Sequence, residues 1–292
     1  MSLANTLRAV LPLPAVRLLR LLTRPWTGID DLRELVLAAR IEARQAAHPN
    51  PLSRFGKKCF SQTDEDGITL EILRRLGCLH GGTFAEYGVG DGLENNTLIL
   101  KALGWTGLWF GGERLAFEVP PSESRFIYCR AWITRENIVE LTREHMRKLG
   151  VPELDVMSLD LDGNDLHLAR RLLDEGFRPK LFIMEYNAKF PPPVKWCMPY
   201  DASHHWHQDD YLGASLASIE ELFRAHGYRL VCCNAASGAN AFFVRECDIG
   251  SFTDVPTDID SLYSAPSFFV PTKHGHPASP RLTTSLFSQR GD

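Results

Sequence analysis

Three groups of residues in this sequence have types and spacings that support chemistry. The first is Glu86-Tyr-Gly-Val-Gly-Asp-Gly92, in which an acid and three glycines recur at every second position. Glycine lets a backbone approach a nucleotide-like ligand closely and permits positive φ. The spacing is not the dinucleotide fingerprint G-x-G-x-x-G, because Leu93 and Glu94 stand where that pattern would continue. The second group is Asp160, Asp162, Glu185 and Asn187, oxygen ligands of the kind that Mg2+ or Ca2+ prefers. A plainer role is open for part of it, since Asp162-Gly-Asn-Asp165 has the composition of a turn that caps a helix. The third is His204, His205 and His207, followed by Asp209 and Asp210. Their spacing does not match zinc modules. Imidazole titrates near neutral pH, so each histidine is a candidate general base for deprotonating a hydroxyl, and each is equally consistent with a solvated surface.

The elements that must hold these groups can be read from apolar patterning. Strands are expected at 83–88, 107–110, 126–131, 155–160, 181–186, 229–233 and 241–245, with helices at 134–149, 165–175 and 215–226. Alternation of this kind predicts an α/β fold with a mostly parallel seven-stranded sheet and helices on both faces. The last two strands, joined by a short Gly-containing segment, read as an antiparallel hairpin. Ligands of such sheets bind beyond the carboxyl ends of the strands. There Glu86 ends the first strand, Glu113 follows the second, Asp160 ends the fourth, and Glu185 lies near the end of the fifth. An acid after the second strand suits the two ribose hydroxyls of an adenosyl group. Ser61-Gln-Thr-Asp64 resembles a capping box opening a further helix that runs to Leu76.

Residues 29–47 have helical periodicity and end at His48-Pro-Asn-Pro51, which predicts an N-terminal helical extension over 1–50. The main domain then covers 51–248, and 249–292, rich in Pro, Ser and Thr, reads as a surface-hugging or partly disordered tail. A net charge of −4 gives no global attraction for nucleic acid. Seven scattered cysteines without a CxxC pair fit a reduced, cytoplasmic setting better than a disulfide framework. Residues 1–25 carry Arg8, Arg17, Arg20 and Arg24 among Leu and Val but contain no run long enough to span a membrane. They could rest weakly on the inner membrane face, or pack on this chain or a partner subunit in a homo-oligomer.

Several motifs together resemble the FkbM-type methyltransferase family. They are Ser61-Gln-Thr-Asp-Glu-Asp-Gly67, Glu86-Tyr-Gly-Val-Gly-Asp-Gly-Leu-Glu-Asn-Asn-Thr97, Ser158-Leu-Asp-Leu-Asp-Gly-Asn-Asp165 and Glu185-Tyr-Asn-Ala-Lys-Phe-Pro-Pro-Pro193. Gly213-Ala-Ser-Leu216 and Asn240-Ala-Phe-Phe-Val244 agree with it, and the match covers about residues 55–246 in the same order. The resemblance implies a class I Rossmann-like fold and S-adenosylmethionine-dependent O-methylation of a sugar, glycan or secondary metabolite. It also implies cofactor contacts at Glu86, Gly88, Gly90, Glu113 and Asp160; the glycine loop itself adds Gly92, and the region of Asp160 and Glu185 is expected to face the acceptor hydroxyl. Trp109-Phe-Gly-Gly-Glu113 departs from the pattern, since glycines directly follow the second strand where an acid is common. Two other readings compete: a nucleotide-sugar-type Rossmann enzyme, and a non-catalytic cofactor-binding or scaffold protein.

Overall fold

The computed structural model describes residues 13–267 and 278–288, with side chains described from residue 29 onward except at residue 30. Two compact units divide the chain at Arg44 and Gln45. The first contains most of a long helix, α1 (Leu13–Ala47). Ile29, Leu32, Leu35 and Val36 of that helix are exposed. The arginines at 8, 17, 20 and 24 lie outside the residues whose side chains are described. Among the described residues, no helix is long and apolar enough to cross a membrane.

The second unit begins with a polar anchor. Asn50 Nδ2 donates to the Val231 carbonyl at 2.7 Å, and Asn50 Oδ1 accepts from the Leu52 amide as a short 3-10 turn opens. Helix α2 (Glu65–Arg75) follows, but not through the expected capping box: its N-cap, Asp64, makes no side-chain capping bond. Instead the Asp66 carboxylate accepts from the amides of Cys59, Phe60 and Ser61 and from the Ser61 hydroxyl. An acid in the first turn can reach back over a longer loop and satisfy several amides at once, which a cap confined to four residues does not.

The seven strands are β1 (Thr83–Tyr87), β2 (Thr106–Gly111), β3 (Phe126–Arg130), β4 (Val156–Leu159), β5 (Leu181–Glu185), β6 (Tyr228–Cys233) and β7 (Asn240–Arg245). Each lies within one residue, at either end, of its expected position. The remaining helices are α3 (Leu98–Ala102), α4 (Ile138–Leu149), α5 (Asp165–Asp174), α6 (Leu216–Ala225), α7 (Ile259–Leu262) and α8 (Pro280–Ser288). The sheet order is β3-β2-β1-β4-β5-β7-β6. The first five strands pair in parallel, whereas β7 is antiparallel to both β5 and β6. This is a Rossmann-like sheet, mostly parallel and ending in an antiparallel pair, as the sequence predicts.

Central strands are buried on both faces, as parallel sheets require. Successive residues of a strand point to opposite faces. Tyr87 and Phe110, partners across β1 and β2, therefore face one side, where Tyr87 bonds Thr142 of α4 and Phe110 meets His145. Glu86 and Trp109 face the other, toward Thr97 at the start of α3. Helices on both faces follow from these two contacts.

Of the segment after 248, residues 249–267 and 278–288 are described. Phe252, Val255 and Leu262 join the main core, and Leu282 of α8 is 2% exposed beside Phe190, Trp196 and Met198. A few apolar residues spaced through a polar segment suffice to dock it. All seven cysteines are free. Burial pushes the thiols of Cys197 and Cys233 up to about 12.

Candidate active site

The motifs, far apart in sequence, meet at the carboxyl edge of the sheet around a cavity of about 500 Å3. Glu86, Gly88 and Asn95 come to it from the β1 loop, Asp160 and Asp162 from the end of β4, and Glu185 and Asn187 from the end of β5. Asn240 of β7 and Trp206 complete much of the wall.

The glycine loop owes its shape to a near-contact between two strands. Gly88 has φ +90°, and a Cβ there would come 1.5 Å from the Asp160 carbonyl oxygen. Only glycine lets the β1 turn lie this close to the end of β4. Gly90, at φ +54°, is different, because no atom lies within 4 Å of where its Cβ would be. Packing within the chain does not demand a glycine at 90; the free face of the loop is open there. Gly92 packs under Leu115, Phe117 and Trp109.

Glu86 is expected at a cofactor, and the structure gives its carboxylate to the chain itself. One oxygen accepts from the Asn96 amide at 2.8 Å, and the other from the Thr97 amide at 3.0 Å and from the Thr97 hydroxyl. Burial raises its pKa, opposed by these hydrogen bonds. Asn96 Nδ2 in turn reaches Ser158 of β4 at 3.1 Å. Glu86 thus fixes the Asn95–Thr97 turn, and its edge still lines the cavity.

Glu113 is exposed beyond β2. The hydroxyl of Tyr128 donates to its carbonyl and to that of Gly111, and Arg130 Nε donates to the Gly112 carbonyl, so the tips of β2 and β3 are tied together. Trp132 lies beside Gly112, whose Cβ position is 3.4 Å from the indole. Its Nε1 donates to the Ala202 carbonyl at 2.8 Å.

Asp160, Asp162 and Glu185 each place one carboxylate oxygen within 4.8 Å of the other two. Asp165, expected as a capping residue, closes the intervening loop by accepting from the amides of Leu161 and Gly163. Asp162 adopts φ +54°, uncommon for a residue other than glycine. Burial, then the neighbouring acids, holds Asp160 and Glu185 well above the ordinary carboxylate range. Burial, then Asp165, pushes Asp162 up to about 6. Asn187 lines the same cavity and is engaged at both ends of its amide: Nδ2 donates to the carbonyls of Asp210 and Leu212, and Oδ1 accepts from the Lys189 amide.

These shifts have a measurable consequence. An acid with a raised folded-state pKa binds its proton more tightly in the native protein than in the unfolded chain. Its penalty is absent below about pH 4, grows as pH rises from 4 to 6, and levels off above 6, where Asp162 ionises in the fold. In chelator, wild-type protein should lose on the order of 2 kcal/mol through Asp162 between pH 4 and 7. Glu185→Gln should lose less. Thermal melts of both proteins across that range test this, and parallel curves would refute it.

The three histidines part company. His204 is buried, its ring lies against Gly163, and its Nε2 is 3.2 Å from the Asp162 carbonyl. Burial lowers its pKa, so it props the carboxylate loop as a neutral ring. His205 is exposed with its ring 4.6 Å from that of Trp132, and His207 is exposed. Of residues 204–207, it is Trp206 that lines the cavity.

Four features of the site are not evident from sequence. Asn95 and Asn240 line the cavity, each with a buried Oδ1 that lacks a hydrogen-bond partner. Lys189 lines it too and pairs with Asp210. Trp132 stands just past the tip of β3, and its exposure is visible only in the structure. Behind the cavity, Asn234 Nδ2 donates to Thr63, Asp64, Glu65 and Ser237, locking the β6–β7 connection onto the start of α2.

No protein-family model matches the chain, and no curated protein matches its sequence. Solved structures with a similar fold include a protein named as a hemolysin from Lactococcus lactis, at 11% identity over 60% of this chain and 83% of that one, TM-score 0.38. Another is an O-methyltransferase family 2 protein from Planctomyces limnophilus DSM 3776, at 13% identity over 57% of this chain, TM-score 0.29. The match spans 50% of the length of that protein. A third is an S-adenosyl-L-methionine methyl transferase from Silicibacter pomeroyi DSS-3, at 13% identity over 61% of this chain and 88% of that one, TM-score 0.29. Likenesses this distant carry no argument about activity.

Proposed function

We propose that this chain is an S-adenosylmethionine-dependent methyltransferase of the FkbM type that acts on a hydroxyl of a sugar, glycan or secondary metabolite. A fold does not by itself imply a function, so the reading rests on the site. The observation that carries it is the glycine loop: its free face is open at Gly90, and it runs directly beside a cavity lined by carboxylates. A Cβ at Gly90 would project into open space, which is where a ligand laid along the loop would lie.

The loop from Gly88 to Gly92 would hold the methionine end of the cofactor, and Glu113 its ribose. Trp132, beside Gly112, offers a flat wall for the adenine. When bound, S-adenosylmethionine supplies an electrophilic methyl on a sulfonium, which leaves as a neutral thioether. The chain must hold the acceptor hydroxyl in line and take its proton. With no cation bound, Asp160 and Glu185 suit the second task, since burial and the neighbouring acids raise their affinity for a proton above that of ordinary carboxylates. Trp206 and the acceptor atoms of the wall suit a ligand rich in hydroxyls.

Isothermal titration with S-adenosylmethionine and S-adenosylhomocysteine tests the cofactor. We expect saturable binding of both at one site per chain. A folded protein that binds neither, with and without a panel of polyol acceptors, would leave the scaffold reading in possession. Transfer of labelled methyl to a glycan hydroxyl, and its loss when that hydroxyl is replaced by hydrogen, tests the reaction.

A further inference from the structure

We propose that Asp160, Asp162 and Glu185 hold one hard divalent cation, of the Mg2+, Mn2+ or Ca2+ class, in the cavity at the carboxyl ends of β4 and β5. The spacing is the first argument. Oxygens bound to one such ion at 2.0–2.6 Å lie no more than about 5 Å apart, and the three carboxylates meet that condition with all pairs within 4.8 Å.

An acidic cluster alone would not suffice, and the second argument is independent of it. Glu185 Oε2 is buried and meets no donor apart from a proton shared with Asp160. Directly across the sheet, Asn240 is its register partner in β7. Directly opposed residues of an antiparallel pair project from the same face, with Cβ atoms about 5 Å apart. Asn240 is 3% exposed, lines the cavity, and has an unpartnered Oδ1. Its Nδ2 is 3.4 Å from Glu65 Oε1, which assigns the other end of the amide as the orphan. Asn95, 4% exposed and also lining the cavity, leaves its Oδ1 unpartnered as well.

A buried acceptor without a donor costs about 1–3 kcal/mol, and here Asn95 and Asn240 set two of them on a cavity that Asp160, Asp162 and Glu185 also line. The cation among the described lining residues, Lys189, is paired with Asp210. What the cavity lacks is positive charge, and its donor set is entirely hard oxygen. A divalent ion offsets the mutual repulsion of the three acids and leaves coordination positions open to the cavity. On the methyl-transfer reading, those positions would take neighbouring hydroxyl oxygens of the acceptor and lower their pKa, so that the proton would pass to solvent in the cavity in place of Asp160 or Glu185.

The test is a Mn2+ titration of the full-length chain, free Mn2+ being read by its paramagnetic resonance signal, with no S-adenosylmethionine present. We expect one Mn2+ per chain, displaced by Mg2+ or Ca2+. Asp162→Asn should weaken it by about tenfold or more, since affinity follows ligand charge. Asparagine tolerates the positive φ at 162, so this variant keeps the loop. Glu185→Gln, of the same shape as the native residue, should act likewise, while Glu140→Gln on the surface of α4 should change nothing. Absence of stoichiometric binding at millimolar Mn2+ would overturn the proposal, as would wild-type affinity in Asp162→Asn and Glu185→Gln. Thermal stabilisation by a polyol or a primary amine, with no Mn2+ bound, would also overturn it by naming a different occupant. A negative result here leaves cofactor binding intact, whereas failure of the methyltransferase reading removes cofactor binding and leaves the Mn2+ result unchanged.

Discussion

Gly90→Arg should melt within a few degrees of the wild-type protein and yet show no saturable binding of S-adenosylmethionine. The two halves of this expectation have separate causes. No atom lies within 4 Å of the Cβ position, so the new side chain meets nothing in the chain. Holding a non-glycine residue at φ +54° costs about 1–2 kcal/mol, worth about 2–4 °C per kcal/mol in a domain of this size. The arginine would fill the space along the loop and place a cation there, against a cationic sulfonium. Gly88→Ala should behave in the opposite way. Its Cβ would come 1.5 Å from the Asp160 carbonyl, and backbone cannot yield as a flexible side chain can. Overpacking of this kind costs 1–3 kcal/mol or more, and φ +90° adds to it. Calorimetric melting and cofactor titration of the two variants separate them. If Gly90→Arg binds the cofactor with wild-type affinity, the loop is not the cofactor site.

Glu86→Ala is the second large effect, and it is one on stability. The substitution strands the amides of Asn96 and Thr97 and the Thr97 hydroxyl, all inside the fold. Each unmet buried donor costs about 1–3 kcal/mol, so a loss of about 3–5 kcal/mol is expected once some water enters the gap. Glu86→Asp should recover little, because the shorter side chain does not reach both amides. Denaturant unfolding monitored by tryptophan fluorescence reads this directly, with Trp109 Nε1 donating to the same Thr97 hydroxyl at 2.9 Å. A loss below 1 kcal/mol would show that Glu86 is not the anchor of this turn. The residue then returns as a candidate for direct contact with the cofactor.

The histidine cluster shows where reading a sequence stops. His204, His205 and His207 are neighbours in a polar segment, and nothing local distinguishes them. The fold buries the first against Gly163, lays the second on Trp132 and leaves the third in solvent. Those fates depend on loops more than 40 residues away. The docked segment at 280–288 has a similar cause: Leu282 docks on aromatic residues about 90 positions earlier in the chain.

By itself the sequence determined the strands, the alternation with helices, the terminal hairpin and the glycine loop. Each is recorded locally, in the period of apolar residues or in the need for a missing Cβ, and local patterns survive without knowledge of partners. It also placed Asp160 and Glu185 at strand ends, and so at the ligand-binding edge of a doubly wound sheet. Only the tertiary structure decided what each acid does. Glu86 became a cap because the turn at 95–97 folds back beneath it. Asp66 gathers a loop instead of leaving the cap to Ser61. Asn240 became a neighbour of Glu185 because β7 inserts antiparallel between β5 and β6. That pairing joins residues 55 positions apart. Its register is set by which faces of two strands are buried together, and no local pattern in either strand records it.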